Sequence, residues 1–144
     1  MLIGKYFHNV DKKGRVFIPS KLKDDLGEDF IIAYALDDKP ALFAYSMSEW
    51  DKLCERIDEY DPISQLTVDR TFYSDASEVA LDSQGRVCIP ASLREAAGLL
   101  ESSEIIIIGA RNHVEIWTVE NWNAEQSKNP KAELISILKS KREK

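Results

Sequence analysis

The 144-residue chain contains one motif twice, and the two copies lie 71 positions apart. The first copy occupies residues 11–22, with the letters DKKGRVFIPSKL, and the second occupies residues 82–93, with the letters DSQGRVCIPASL. An internal repeat constrains the architecture of a chain more strongly than its other sequence features do. The repeat predicts a chain made of two related halves. Eight identities support this alignment, pairing Asp11, Gly14, Arg15, Val16, Ile18, Pro19, Leu22 and Gly27 with Asp82, Gly85, Arg86, Val87, Ile89, Pro90, Leu93 and Gly98.

Each copy predicts a strand, a tight turn, a second strand and a short helix. Gly14 and Gly85 lie between apolar residues, where a tight turn needs a positive φ angle. Pro19 and Pro90 cannot donate to a strand ladder but suit the first turn of a helix. We therefore expect each second strand to stop at its proline and a short amphipathic helix to follow.

The aspartate and the arginine of each turn are predicted to face each other. Asp11 is four residues from Arg15, and Asp82 is four residues from Arg86. A charge-assisted hydrogen bond between them would fix the direction of the guanidinium group. The alternative is a merely structural salt bridge on an exposed hairpin, which contributes about 0 to 1 kcal/mol. Recurrence of the pattern in both copies favours the first interpretation.

The tandem pattern D-x-x-G-R-[hydrophobic]-x-I-P, followed each time by a short helix, resembles the MraZ family of bacterial transcriptional regulators. The resemblance covers most of the chain, including residues 1–6, 70–72, 108–109 and 114–117, together with Ala76. It implies an α+β fold of duplicated AbrB-like (SpoVT-AbrB) swapped-hairpin β-barrel half-units with short helices. The two half-units would form a single compact domain with pseudo-twofold symmetry.

The resemblance and the repeat together suggest four segments. We expect a first AbrB-like unit at residues 5–47, connecting helices at 48–75, a second unit at 76–119 and a C-terminal helical tail at 120–144. The connection lacks the glycine, serine and proline enrichment of a flexible linker. Basic residues end the tail, where they suit the helix dipole and are expected to be solvated: Lys139, Lys141, Arg142 and Lys144.

Several side chains carry expectations about burial. The first strand is predicted over residues 3–10, with Ile3, Tyr6 and Val10 as buried contacts. Cys54 and Cys88 are far apart in the sequence and are expected to act as small apolar side chains. The cysteines and the two histidines lack the spacing of metal ligands, so we expect no metal and no cofactor.

Charge is distributed unevenly along the chain. The formal net charge is −6, but residues 11–23 carry a balance of +4 and residues 24–62 a balance of −9. Fields within a Debye length of about 8 Å decide what binds, so an acidic protein can present a basic face. The second copy is less basic, because its turn has Ser83 and Gln84 where the first has Lys12 and Lys13.

No arrangement typical of an enzyme is present. The sequence has no nucleophile paired with a base, no paired carboxylates in a pocket-like context and no glycine-rich phosphate loop. We therefore expect a protein that is not an enzyme and has no small-molecule substrate. Apolar runs are too short to span a bilayer, and the N-terminus has no signal arrangement. We expect no membrane partner and a cytoplasmic location.

The residues of the two turns suit double-stranded DNA. Arginine reads guanine O6 and N7 bidentately, lysine contacts phosphate, and a two-stranded β ribbon fits the major groove. The family resemblance implies ring-like homo-oligomers, associated with the nucleoid, that display D-x-x-x-R hairpins to repeats in the promoter of the division and cell-wall gene cluster. The predicted DNA contacts are Lys12, Lys13, Gly14, Arg15, Gln84, Gly85 and Arg86, supported by Asp11, Asp82, Lys21 and Lys23.

Two alternatives remain open. The first is a non-catalytic oligomeric protein-interaction or assembly module whose hairpins stay buried. The second is an AbrB-type antitoxin-like DNA binder, although such proteins usually carry one hairpin unit and a disordered toxin-binding tail. Residues 28–122 look structured throughout, which disfavours the antitoxin.

Overall fold

The computed structural model describes residues 1–142 and has the mixed α+β composition that the sequence predicts. Its first half contains β1 (Leu2–Asn9), β2 (Arg15–Phe17), α1 (Ser20–Leu26), β3 (Asp29–Tyr34), β4 (Ala41–Ser46), α2 (Met47–Ile57) and α3 (Pro62–Thr71). After a single 3₁₀ turn (Tyr73–Asp75), the second half contains β5 (Ser77–Ala80), β6 (Arg86–Cys88), α4 (Ala91–Ala97), β7 (Glu104–Arg111), β8 (Val114–Thr118), α5 (Val119–Gln126) and α6 (Pro130–Arg142). Lys144, expected at the basic end of the tail, lies outside the described residues.

The strands form two antiparallel sheets. One has six strands in the order β1-β7-β8-β4-β3-β5, and the other is a two-stranded ribbon of β2 and β6. Exchanging each strand for its counterpart in the other half reproduces the six-stranded order in reverse. The strands on either side of each repeated turn pair with the other half: β1 with β7, β5 with β3, and β2 with β6. The halves are therefore intertwined.

A main core lies between the ribbon and the large sheet. Val16 of β2 and Val87 of β6 point into it, where Leu22 of α1 and Leu93 of α4 are also buried. The leucines project from the inner faces of their short helices, which are amphipathic as predicted. Each fully buried leucine or valine stabilises the fold by about 1.5 to 3 kcal/mol. The ribbon that carries both turns therefore rests on a packed base.

Helices cover the opposite face of the large sheet. Leu53 and Ile57 of α2 pack on one side, and Trp122 of α5 packs against Trp117 of β8 on the other. Ser46 caps the start of helix α2, because its hydroxyl accepts a hydrogen bond from the Glu49 amide at 3.2 Å. Helices on this face and the ribbon on the other explain why the central strands are apolar on both sides.

Some side-chain expectations are wrong. Ile3 is exposed, and Leu2 is buried in its place. A strand alternates its faces with a period of two, which puts Leu2 on the same face as Tyr6 and Ile3 on the opposite face. Tyr6 is half-buried and Val10 is buried, as predicted. Cys54 is half-buried, whereas Cys88 is exposed because it shares a face of β6 with Arg86.

Candidate nucleic-acid interface

Turn one, residues 11–15, is organised by the carboxylate of Asp11. One oxygen, Oδ1, accepts hydrogen bonds from the backbone amides of Lys13 and Arg15, each at 2.9 Å. The other oxygen, Oδ2, accepts from Nε of Arg15 at 2.7 Å. The same carboxylate therefore shapes the turn and orients the guanidinium group.

Turn two, residues 82–86, has the same geometry. Oδ1 of Asp82 accepts from the amides of Gln84 and Arg86 at 2.9 Å, and Oδ2 accepts from Nε of Arg86 at 2.8 Å. The predicted contact between aspartate and arginine is confirmed in both copies. In each turn an Asx-type bond closes the loop, and the glycine takes a positive φ of 75° at Gly14 and 80° at Gly85.

These hydrogen bonds keep both aspartates ionised. The pKa of Asp11 lies below its ordinary value, chiefly because the Arg15 amide donates to the carboxylate, with the Arg15 guanidinium adding to the effect against a partial desolvation. The pKa of Asp82 is lowered for the same reasons by Arg86. Each arginine therefore faces a full negative charge at neutral pH.

The arginines use only part of their hydrogen-bonding capacity. Within residues 1–142, the side-chain hydrogen bonds of Arg15 and Arg86 to protein run through Nε alone. The two terminal nitrogens, Nη1 and Nη2, of each guanidinium keep their donors for a ligand. A guanidinium group held at Nε and open at its end presents the fork that bidentate recognition of a base edge requires.

Both arginines lie on the same face of the β2–β6 ribbon. Val16 pairs with Val87, and these valines face the core. Because strand side chains alternate, the flanking residues of both strands face outward. The Arg86 guanidinium lies 5.9 Å from the ring centroid of Phe17, a residue that is 45% exposed. The outward face thus combines two arginines with one exposed aromatic ring.

Each turn is held in place by backbone from the other half. The amide of Ile18 donates to the carbonyl of Gly85 at 3.0 Å, and the amide of Ile89 donates to the carbonyl of Gly14 at 3.2 Å. A buried backbone group needs such a partner. Neither turn is complete without the opposite half.

Cations also reach across from the opposite half. A Cβ atom added at Gly14 would lie 2.5 Å from the Arg94 guanidinium carbon, and one added at Gly85 would overlap the Lys23 ammonium group. Arg94 of α4 is anchored by a bond from its Nε to the Ile89 carbonyl, at 2.9 Å. Lys23, expected to support the turn of its own copy, therefore lies beside turn two.

Arg94 was not predicted as part of the site. The repeat could have identified Arg94, because a shift of 71 positions aligns it with Lys23, which was predicted to support the site. Turn two is less basic than turn one in sequence, but the fold places the Lys23 ammonium group beside it. Lys12, Lys13 and Gln84 are exposed at the turn tips, and Lys21 is exposed on α1.

Other kinds of site receive no support from the described residues. Residues 1–142 contain no group of three or more histidine, cysteine, aspartate or glutamate residues placed to hold a metal ion. In the same range, no helix is both long and apolar enough to cross a membrane.

Comparisons with known proteins agree with the duplicated geometry. The family model described as "MraZ protein, putative antitoxin-like" matches the chain twice, at residues 1–70 and 72–141. The chain belongs to the MraZ family. The family assignment suggested by the repeated motif is thereby confirmed, and the two matches follow the same division that the repeat predicts.

Curated MraZ relatives match over nearly the whole chain. A protein of Caldicellulosiruptor bescii is 44% identical over 129 residues, covering 88% of this chain and 87% of the relative. One of Alkaliphilus oremlandii is 47% identical with the same coverage. One of Acetivibrio thermocellus is 42% identical over 140 residues, covering 94% of both chains. Each is named as the transcriptional regulator MraZ.

Proposed function

We propose that this member of the MraZ family is a sequence-specific DNA-binding regulator of transcription that reads DNA with the D-x-x-x-R turns. The observation that carries the proposal is the outward face of the ribbon. On this face Arg15 and Arg86 donate through Nε to Asp11 and Asp82, and their terminal nitrogens remain open. The names of the relatives support the same class of function.

Some residues of the turns read DNA bases, and others contact the DNA phosphate backbone. Arg15 and Arg86 donate to guanine edges in the major groove, where each bidentate pair discriminates against the wrong base by about 1 to 3 kcal/mol. Lys12 and Lys13, exposed at the tip of turn one, contact phosphates, and Gln84 takes the same place in turn two. Asp11 and Asp82 do not touch DNA but orient the arginines.

We place the site on AbrB-like swapped-hairpin half-units at residues 5–47 and 76–119, joined by helices at 48–75 and followed by the tail at 120–144. The exchange of strands between halves supports this division, because each turn borrows its backbone and cationic neighbours from the other unit. A rigid ribbon shared by both units would hold the two arginines at a fixed separation, which sequence-specific reading requires.

We propose further that the protein forms a ring-like homo-oligomer on repeats in the promoter of the division and cell-wall gene cluster, and so acts at the nucleoid. Exposed apolar side chains support self-association, since Ile63 and Leu66 of α3 remain in solvent. Several chains engaged on repeated sites would multiply modest affinities through effective concentration.

The direct test compares Arg15→Ala and Arg86→Ala with the wild type by fluorescence anisotropy on DNA from the upstream region of the protein's own gene and on a scrambled copy. Each substitution should weaken binding to the specific DNA by roughly 5- to 150-fold per engaged site, equivalent to about 1 to 3 kcal/mol. Binding to scrambled DNA should change far less.

Arg111→Ala is the matched control, because Arg111 is an exposed arginine at the far end of β7, outside both turns. Light scattering confirms that each variant remains assembled. Wild-type affinity for the specific DNA in both assembled turn variants would reject the proposed reading residues. It would favour the assembly module instead.

A further inference from the structure

The outward face of the β2–β6 ribbon differs in chemistry between its two ends. At the end near turn one, Arg15 pairs with Cys88. At the end near turn two, Arg86 pairs with Phe17. The repeat aligns Phe17 with Cys88, because these residues lie 71 positions apart. Equivalent places on the face therefore hold an aromatic ring beside Arg86 and a small thiol beside Arg15.

The core does not account for the aromatic residue at position 17. Val16 is the core-facing residue of β2, whereas Phe17 belongs to the outward face and is 45% exposed. Its ring centroid lies 6.3 Å from that of His8 on β1, with the two ring planes tilted by 37°. A single exposed apolar side chain is ordinary on a protein surface. This one, however, lies on the face that is proposed to meet DNA.

The Phe17 ring also holds the reading group of turn two. The Arg86 guanidinium carbon lies 5.9 Å from the ring centroid, and a cation within about 6 Å of an aromatic face is attracted to it. Arg86 is therefore held by the Asp82 carboxylate at Nε and by the ring beside it. Cys88, which stands across the ribbon from Arg15, has no ring to offer. The two reading arginines thus have different neighbours.

Thymine is the base whose chemistry matches an exposed aromatic ring in the major groove. Its C5-methyl group is an apolar feature of the groove edge, and phenylalanine is one of the side chains that contact it. Successive bases of one strand lie roughly 3.4 Å apart along the helix axis. A ring 5.9 Å from the Arg86 guanidinium therefore reaches a base one or two steps away from the base that this arginine reads.

We propose that Phe17 is a specificity-determining residue, which contacts the methyl group of a thymine within about two base pairs of the guanine read by Arg86. The inference rests on the proposed function and adds a second base to its recognition. Because Cys88 takes the equivalent place beside Arg15, turn one makes no such contact. The two turns share one backbone geometry but read different sequences, so the ribbon lies on its target in one direction.

The first part of the test changes only the DNA. Uracil differs from thymine by lacking the methyl group, so each thymine of the specific DNA is replaced by uracil, one at a time. Fluorescence anisotropy measures the affinity of the wild-type protein for each DNA. One replacement per engaged site should weaken binding roughly fourfold, the value of one buried methyl group.

The sensitive thymine should lie beside the guanine of Arg86. That guanine is identified with 7-deazaguanine, which lacks the N7 acceptor of guanine. At the guanine that Arg86 contacts, this replacement should weaken binding of the wild type and have little further effect on Arg86→Ala. The same comparison with Arg15→Ala identifies the guanine of turn one.

The second part of the test changes the protein. Phe17→Ser should bind thymine DNA and uracil DNA with equal affinity, whereas Phe17→Leu should keep most of the difference because it remains apolar. Cys88→Ser is the matched control, since it alters an exposed residue at the equivalent place on the same face and should respond to uracil like the wild type. Thermal unfolding and light scattering check that each variant is folded and assembled.

An exchange of the two residues gives the sharpest outcome. The double variant Phe17→Cys with Cys88→Phe moves the ring across the ribbon to Arg15. On DNA that carries a thymine beside each assigned guanine, sensitivity to uracil should move from the guanine of Arg86 to the guanine of Arg15.

Three outcomes would overturn the inference while leaving the proposed function in place. The first is a wild type that is indifferent to every uracil replacement but loses specific binding in Arg86→Ala. The second is a Phe17→Ser variant that still distinguishes thymine from uracil, because another residue would then sense the methyl group. The third is an equal loss of this distinction in Cys88→Ser. Equal affinity of the wild type for specific and scrambled DNA would reject both the inference and the proposed function.

Discussion

A single aspartate in each turn carries two tasks that are usually separate. Through Oδ1, Asp11 closes the turn by accepting two backbone amides, and through Oδ2 it aims the Arg15 side chain. The two oxygens can therefore be tested one at a time. Asparagine keeps an oxygen that can accept from the amides but replaces the second oxygen with a donor, which cannot bind Nε.

The substitutions Asp11→Asn and Asp82→Asn should leave the fold and assembly intact while lowering preference for the specific DNA sequence. The arginine then loses its fixed direction but stays charged, so binding to scrambled DNA should be nearly unchanged. Anisotropy on both DNAs measures this difference. An unchanged ratio of specific to scrambled affinity would show that the carboxylate does not orient the reading group.

The same variants predict a pH dependence of stability. The folded-state pKa values of Asp11 and Asp82 are depressed below their ordinary value of 3.8. Their contribution is therefore complete above that value and is lost as the pH falls through the lowered folded-state pKa. Chemical unfolding should give a constant difference between wild type and the double asparagine variant from pH 5 to 8. That difference should shrink below pH 3.8.

The glycines of the turns should differ in their tolerance of alanine. Both have positive φ, which costs an L-residue about 1 to 2 kcal/mol. At Gly14 the new Cβ also meets the Arg94 guanidinium, which is anchored to Ile89, whereas at Gly85 it meets the flexible end of Lys23.

We therefore expect Gly14→Ala to destabilise the protein more than Gly85→Ala. Gly98→Ala is the control for strain alone, because a Cβ there has no contact closer than 3.9 Å. Denaturant unfolding of the three variants measures the loss in free energy of unfolding that each one causes. If Gly14→Ala and Gly98→Ala lower the free energy of unfolding equally, the contact with Arg94 does not constrain turn one.

At the scale of elements, the sequence predicted the features that depend on residues close together in the chain. The strands, helices and Asp–Arg contacts follow from alternation, helix signals and spacing within a few residues. The partner of each strand is set by long-range packing, so a local pattern does not reveal it. The placement of Lys23 beside turn two depends on that exchange of strands. The predicted burial of Ile3 was inconsistent with strand alternation, because Leu2, and not Ile3, shares a face with Tyr6.

Helix α1 should therefore bind DNA at the opposite turn. Within residues 1–142 the Lys23 ammonium has no hydrogen-bonded acceptor, and it lies against Gly85 of turn two. We expect Lys23→Met to weaken binding to specific and scrambled DNA alike. It should also flatten the slope of log K against log salt by roughly 0.9 for each phosphate lost.

Lys52→Met removes the same charge from α2, away from the ribbon, and should leave the slope unchanged. The decisive comparison is the DNA affinity of two double variants, which combine Lys23→Met with Arg86→Ala or with Arg15→Ala. If Lys23 lies at turn two, as in the structure, its effect on the binding free energy should be non-additive with that of Arg86 and additive with that of Arg15. Equal coupling with both arginines would contradict that placement for the bound state.

At the scale of the whole molecule, charge is segregated rather than balanced. The net charge is −6, yet both turns carry exposed or half-buried cations, while residues 24–62 carry twelve of the 25 acidic residues. We expect DNA affinity to fall on the order of a hundredfold between 50 and 200 mM salt if each chain neutralises about four phosphates. Titration by anisotropy measures this slope, and a flat response would favour the interaction module.

The exchange of strands between halves also sets the order in which the protein can form during synthesis. Leu2 pairs with Arg111, so β1 has no partner strand until most of the chain has been made. At about 5 to 20 residues per second, the ribosome takes roughly 5 to 20 s to reach the end of β7. Limited proteolysis of arrested nascent chains should show β1 protected only after β7 has emerged. A truncated product that ends before β7 would contain the motif of turn one, but not the sheet that supports it.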